Sequence, residues 1–186
     1  SSAMSYLSIK NQTVEIRSAE HLRGKSPLEA ESVIRAMLNW PSARVAAIGR
    51  AGENLVRFAT ISNEGRHAGR GGVGAVMGSK NLKAIVLSGD CPTDVADSGG
   101  IEKIAAVLRE RSLSSLTDKY REIGTVANLS VFNRLGTLPT RNFQQSTFDD
   151  ADALSGESLT ENNFSRRHGC AACTIRCERL FKALDG

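Results

Sequence analysis

The stretch from Asn63 to Leu87, NEGRHAGRGGVGAVMGSKNLKAIVL, constrains this chain more than any other. Six glycines fall between Gly65 and Gly78. Glycine tolerates positive φ and lets a ligand or another backbone come close, so a run this dense argues against an uninterrupted helix or strand. Successive N–H groups in such a turn form an anion nest, and a following helix adds its N-terminal dipole. No acid occurs between Glu64 and Asp90, while Arg66, Arg70, Lys80 and Lys83 are all present, a local field that favours an anion. Arg66 and Arg70 can make charge-assisted bonds to phosphate oxygens. Two familiar phosphate motifs fail on spacing. A Walker loop needs glycine followed directly by Lys and Ser/Thr, but here Ser79 precedes Lys80. In a Gly-x-Gly-x-x-Gly fingerprint starting at Gly72 and Gly74, the last position is Met77. A tight strand-to-helix crossing that binds nothing is the competing explanation, and His67 alone reads as a surface-loop histidine.

The flanking segments predict a mixed α/β unit over residues 5 to about 89. YLSIKNQTVEIRSA reads as two strands around Asn11 and Gln12. Ser26, Pro27 and Glu29 form a capping box with proline at the first helical position. The helix they open carries a stripe of Leu28, Val33, Ile34, Met37 and Leu38 and stops at Pro41. ARVAAIG, LVRFATIS and KAIVLSG read as strands, the second with Val56, Phe58 and Thr60 on one face. TDVADSGG is a linker by composition, which puts a boundary at about 90 to 98. Beyond it the pattern turns helical. IEKIAAVLRER is amphipathic through Ile101, Ile104, Ala105 and Leu108, and TVANLSVFNRLG is closed by Gly136. LPTRNFQQSTFDDADALSGE is polar and irregular, and SLTENNF is short and ambiguous. The fold class expected is α+β: a mixed α/β half-domain followed by the start of a mainly helical domain.

Composition narrows the partners. With 40% hydrophobic and 24% charged residues the chain is ordinary globular material. A net charge of +4 and 5% aromatics give no basic surface interleaved with stacking platforms, so nucleic acid is not expected. No apolar run approaches the roughly 20 residues that span a bilayer. SSAMSYLSIK lacks the regions of a signal peptide, and a cytoplasmic location is expected.

Three of the four cysteines, Cys170, Cys173 and Cys177, crowd into GCAACTIRCERLF, while Cys91 stands far away in sequence. A disulfide framework would be spread more evenly, so metal binding in a reducing compartment is the better reading. A structural zinc site would show a second Cys-x-x-Cys or a histidine pair, and none follows. The spacing differs by one residue from the ferredoxin Cys-x2-Cys-x2-Cys run. A four-iron cluster held by these three and a distant fourth ligand fits best, with Arg166, Arg167, Arg176 and Arg179 offsetting its charge. A solvated basic face explains those arginines equally well.

Taken together, IGRAGENLVRFATI (48 to 61), GRGGVGAVMGSKNLKAIV (69 to 86), GTLPTRNFQQSTF (136 to 148) and CAACTIRC (170 to 177) resemble the tungsten-containing aldehyde ferredoxin oxidoreductase family. The resemblance covers most of the chain. It implies tungsten, or less often molybdenum, held by two pyranopterin dithiolenes (a molybdopterin-type cofactor), with magnesium bridging the pterin phosphates, beside a four-iron, four-sulfur (4Fe-4S) cluster. It implies oxidation of an aldehyde substrate to a carboxylic acid, with electrons passed through the cluster to ferredoxin. The residues it assigns are Arg66, His67, Gly69 and Arg70 against the pterin and its phosphate, and Cys170, Cys173 and Cys177 as cluster ligands. The family often has a small residue at the place of His67, where a backbone contact suffices. Family members are roughly three times longer, so the chain resembles an internal portion of the subunit. Residues 1–92 correspond to the C-terminal part of the pterin-binding domain and 93–186 to the beginning of the helical iron–sulfur domain. The catalytic acid and base would lie elsewhere in the subunit. Partners implied are the remainder of the same subunit, ferredoxin, and a homo-oligomer or electron-transfer complex. The alternatives are a same-family electron-transfer or aromatic thioester reductase subunit, and an inert zinc- or anion-binding fragment.

Overall fold

A computed structural model describes residues 3–162 and 164–182. The chain divides into two compact units, Ser1–Asp94 and Val95–Gly186, in an α+β arrangement.

The first unit is built on a six-stranded mixed sheet. Strands β1 (Ser5–Lys10) and β2 (Thr13–Ser18) form an antiparallel hairpin, with Asn11 in the left-handed region at its turn. The remaining strands are β3 (Arg44–Ala47), β4 (Ile61–Asn63), β5 (Arg66–Ala68) and β6 (Leu82–Ser88). Their order is β2-β1-β6-β3-β4-β5, parallel between β1 and β6 and antiparallel elsewhere. The register sets Tyr6, Ala84 and Ala47 in one row and Ser8, Val86 and Val45 in the next, all buried. Helix α1 (Pro27–Leu38) packs on that face through Ala30 and Ile34, and Met4, Leu22 and Trp40 close the core. Full burial of a side chain such as Ile34 or Val86 contributes roughly 1.5–3 kcal/mol.

Helix α1 starts as its sequence dictates. Ser26 Oγ accepts from Glu29 N at 3.3 Å, and Glu29 Oε2 accepts from Ser26 N at 2.8 Å. Its apolar stripe is narrower than expected. Leu28 and Met37 are exposed, and Ala30, Glu31 and Ile34 make the buried face, because the helix leans on the sheet through its small residues. Glu31 is buried in company with Arg35, 2.8 Å away.

LVRFATIS is not a strand along its length. A four-residue helix α2 (Arg50–Glu53) runs into a turn that ends at Ala59, and β4 begins only at Ile61. Phe58 is 81% exposed. The segment gives up strand geometry so that its carbonyls can meet helix α3 (Val73–Ser79), as with Gly74 N donating to Ala59 O at 3.0 Å.

The second unit is mainly helical. It contains α4 (Ser98–Ser112), capped by Asp97 on Gly100 N, then α5 (Asp118–Glu122), α6 (Leu129–Arg134) and α7 (Gly156–Asn162). Short 3-10 turns join them, and Gly136, at φ +64, follows α6. A hairpin of β7 (Phe164–His168) and β8 (Glu178–Phe181) ends the described chain. Among the described residues the buried apolar side chains here are Ala127 and Ala151, while Ile101, Ile104, Val107 and Leu108 of α4 are exposed. Helix α4 is therefore amphipathic in sequence without burying its apolar side.

Candidate cofactor loop and cysteine hairpin

The expected site residues fall on two short segments, one in each unit. Arg66 and His67 stand on edge strand β5. The turn before them, Glu64 and Gly65, has φ values of +47° and +77°, the two-residue type I′ geometry that matches strand twist. Its Glu-Gly pair was the available sequence signal for this hairpin. Glu64 anchors the turn by accepting hydrogen bonds from Arg44 on β3 and from Arg35 on α1, the latter at 2.9 Å. The Arg44 bond is the largest cause holding the Glu64 carboxyl below the usual glutamate value; burial opposes it and Arg35 adds to it. Asn63 Nδ2 donates to Val45 O at 2.8 Å, a second tie to β3. Ser62 lies opposite His67 in the ladder, and Ser62 Oγ sits 2.7 Å from His67 Nδ1. Arg66 and His67 are thus carried by a hairpin fixed at its turn and along its inner strand, and Arg70 follows in the 3-10 turn Arg70–Gly72.

The six glycines divide into two groups with different work. A Cβ on Gly72 would lie 2.1 Å from Arg57 O, and one on Gly78 1.9 Å from Gly52 O. Gly74 would meet Thr60 O at 2.6 Å. These three let α3 pack backbone to backbone against the 52–60 segment, which is the crossing geometry the sequence left open as an alternative. Gly65, Gly69 and Gly71 have no such neighbour. Nothing lies within 4 Å of a Cβ on Gly65 or Gly71, and Gly69 would meet only Thr60 Cγ2 at 3.6 Å. Gly69, Arg70 and Gly71 are exposed, so main chain and guanidinium are open to a ligand.

One expected member of the basic field is absent from it. Lys83 is fully buried, and its Nζ donates to Glu53 Oε1 at 2.5 Å and to Lys25 O at 2.8 Å. Glu53 also accepts from Gly24 N at 2.9 Å. A buried ammonium has to be paired, and Glu53, distant in sequence, does so. Lys83 therefore clamps β6 to α2 and the 24–25 turn and contributes nothing to an exterior anion.

In the second unit the three cysteines occupy the loop between β7 and β8. Cys170 is exposed, Cys173 and Cys177 are half-buried, and all are free thiols. Cys173 N donates to Cys170 O at 3.1 Å, and Ala172 and Arg176 adopt positive φ to turn the chain back. Cys177 O accepts from Thr125 N at 3.3 Å, and Thr174 Oγ1 lies 2.5 Å from Ser112 Oγ. His168 pairs with Glu178 at 2.8 Å at the hairpin base. Arg179 donates to Arg121 O, and its Nε is a buried donor without a partner among the described residues. Burial, then the like charge of Arg167, lowers the Arg179 pKa, while Cys177 acts in the opposite sense. Cys91 lies in the first unit and is exposed.

The donor set suits an iron–sulfur cluster in chemistry: three thiols on one short loop, with an orphaned guanidinium N–H close behind in sequence. Among the described residues no three His, Cys, Asp or Glu side chains converge into a metal-holding group. Free thiols gain nothing by converging, because the metal supplies the energy that draws them together. The open glycines beside Arg70 likewise suit a phosphate. No helix of the described residues is long and apolar enough to cross a membrane.

Residues 1–89 match the family described as aldehyde ferredoxin oxidoreductase, N-terminal domain, and residues 101–186 match aldehyde ferredoxin oxidoreductase, domains 2 and 3. The tungsten-containing aldehyde ferredoxin oxidoreductase of Thermococcus kodakarensis is 43% identical over 95% of this chain and 30% of its own length. That of Pyrococcus furiosus is 41% identical over 94% of this chain and 29% of its own. The WOR-like subunit of an aliphatic sulfonate oxidoreductase from the same organism is 37% identical over 94% of this chain. Among solved structures, the active-site complex BamBC of benzoyl coenzyme A reductase with 1,5-dienoyl-CoA aligns with a TM-score of 0.73 and 31% identity, over 99% of this chain and 30% of that one. The chain belongs to the aldehyde ferredoxin oxidoreductase family, a family of oxidoreductase enzymes. It spans about 30% of the length of these relatives.

Proposed function

We propose that this chain forms part of a tungsten (or molybdenum) pterin oxidoreductase subunit that converts an aldehyde and water to a carboxylic acid, two protons and two electrons. The reading is carried by the open half of the glycine loop, Gly69 to Gly71 beside exposed Arg70, in a chain that matches this family along nearly its whole length. The metal pterin, when bound, supplies oxygen transfer and the first electron sink. The chain's own part is to hold and orient. Arg66, His67, Gly69 and Arg70 would hold the pterin and its phosphate, with magnesium a candidate bridge between phosphates. Cys170, Cys173 and Cys177 would hold three corners of a 4Fe-4S cluster, and Arg179 would offset its charge. Electrons leaving through that cluster would reach ferredoxin, the acceptor in the relatives' names. The fourth ligand and the catalytic acid and base would come from the rest of the subunit.

The test uses the full-length protein prepared without oxygen. Arg70→Ala should lose pterin and tungsten on dialysis while wild type retains them; full retention in the variant sinks the phosphate role. Aldehyde-dependent reduction of a viologen dye tests the reaction itself. A second reading, reduction of an activated aromatic thioester, is favoured by the likeness to the benzoyl coenzyme A reductase complex. Thioester turnover without aldehyde turnover would select it.

A further inference from the structure

A buried hydroxyl has to place its proton. Ser62 on β4 is 6% exposed, and among the described residues its hydroxyl has one hydrogen-bond partner, His67 Nδ1 at 2.7 Å. A hydroxyl has one hydrogen to donate and lone pairs to accept with, and a neutral imidazole has one nitrogen of each kind. If Nδ1 carried the ring proton, Ser62 would accept it and its own hydrogen would have no acceptor among the described residues. The assignment that satisfies every atom has Ser62 Oγ–H donating to Nδ1 and the imidazole proton on Nε2. His67 itself is exposed, on edge strand β5, adjacent to Arg66 and just before the open Gly69–Gly71 turn. The ring is therefore held from the buried side, and its Nε2–H is the free donor.

We infer that His67 donates a side-chain hydrogen bond through Nε2–H to a phosphate oxygen of the bound pterin cofactor, and that Ser62 is the positioning residue that fixes the donating tautomer. The inference rests on the reading of the 66–70 segment as the cofactor's phosphate site. A backbone contact at this position would need no particular side chain. A ring whose inner nitrogen is occupied by a buried hydroxyl adds a donor of fixed direction just before the open Gly69–Gly71 turn. Neutral donation of this kind adds a further directional contact to the charge-assisted bonds that guanidinium groups make to phosphate oxygens.

Two measurements on the full-length protein separate this from its foundation. In 15N-imidazole spectra, with Ser62 intact, the His67 signals (identified by their loss in His67→Gln) should report a proton on Nε2. Ser62→Ala should convert them to a mixture of tautomers. A proton on Nδ1 in wild type, or an unchanged tautomer in Ser62→Ala, overturns the positioning role. In the second measurement, pterin and tungsten retained after dialysis are counted. His67→Ala should retain several-fold less than wild type, and His67→Gln, whose amide nitrogen reaches the Nε2 position, should recover most of it. If His67→Ala retains cofactor like wild type while Arg70→Ala loses it, the inference falls and the phosphate site stands. If both variants retain it, the phosphate site falls as well.

Discussion

Gly124 stands so close to Cys177 that a Cβ on the glycine would lie 2.6 Å from the cysteine's carbonyl oxygen, and its φ is +88°. The same carbonyl accepts from Thr125 N. The end of the cysteine loop is thus seated directly on the turn before α6. Gly124→Ala combines an unfavourable φ with a backbone clash and should cost about 1–3 kcal/mol. It should also displace Cys177. Iron per chain and the thermal midpoint should both fall in the full-length protein; unchanged iron would separate the turn from the metal site.

Substituting the loop's central thiol tests the ligand assignment itself. Cys173→Ser should reduce iron well below the roughly four atoms expected of a complete cluster. Cys91→Ser, in the first unit, should leave the count unchanged. Equal iron in both variants removes Cys173 from the ligand set.

The Lys83–Glu53 pair lies under the glycine loop's supporting segment. Lys83→Met leaves Glu53 buried against Gly24 with its charge unpaired, and breaking such a pair costs roughly 3–5 kcal/mol. The double variant Lys83→Met with Glu53→Met should recover part of that loss, because no charge is then stranded. The comparison is read from denaturant midpoints. A single variant as stable as wild type would mean the clamp holds nothing.

Acid should loosen the β4–β5 hairpin through Glu64. Its folded-state pKa is lowered, chiefly by the Arg44 hydrogen bond, so the folded protein binds this proton less readily than the unfolded chain. The stabilisation is present above the unfolded value, about 4.3, and is lost as pH falls through the lower folded value. The thermal midpoint of wild type should exceed that of Glu64→Gln by a constant margin from pH 7 to 5, and the margin should vanish in more acidic buffer. High salt should shrink it throughout. A margin that grows on acidification would contradict the assignment.

What could be read from the chain in advance follows the range of the interactions. The α1 cap was legible because Ser26 and Glu29 are three residues apart and nothing distant competes. The β1–β2 hairpin was legible for the same reason. LVRFATIS departs from the strand its residues predict because strand propensity is local, whereas its geometry is set by the carbonyls of Arg57, Ala59 and Thr60 meeting the glycines at and within α3. The glycine segment announced close approach without saying to what. Gly72, Gly74 and Gly78 meet backbone, while Gly65 and Gly71 meet open space. Lys83 looked like its neighbours because its partner, Glu53, is thirty residues away. Ser62 is not legible in the sequence, since a serine in a short strand carries no signal until register sets it opposite His67.

Strand β6 lies in the middle of the sheet although it is the last strand of its unit in sequence, and Ser5 reaches Asn81 across 76 residues. During synthesis β1 and β2 must therefore wait for almost the whole unit before their inner neighbour arrives. The glycine segment emerges immediately before that strand, so its support and the closure of the sheet are completed in one late event. If the loop holds the proposed cofactor, loading would follow that event: a nascent chain stopped short of Ser88 would present the arginines and glycines with no sheet to hold them in place.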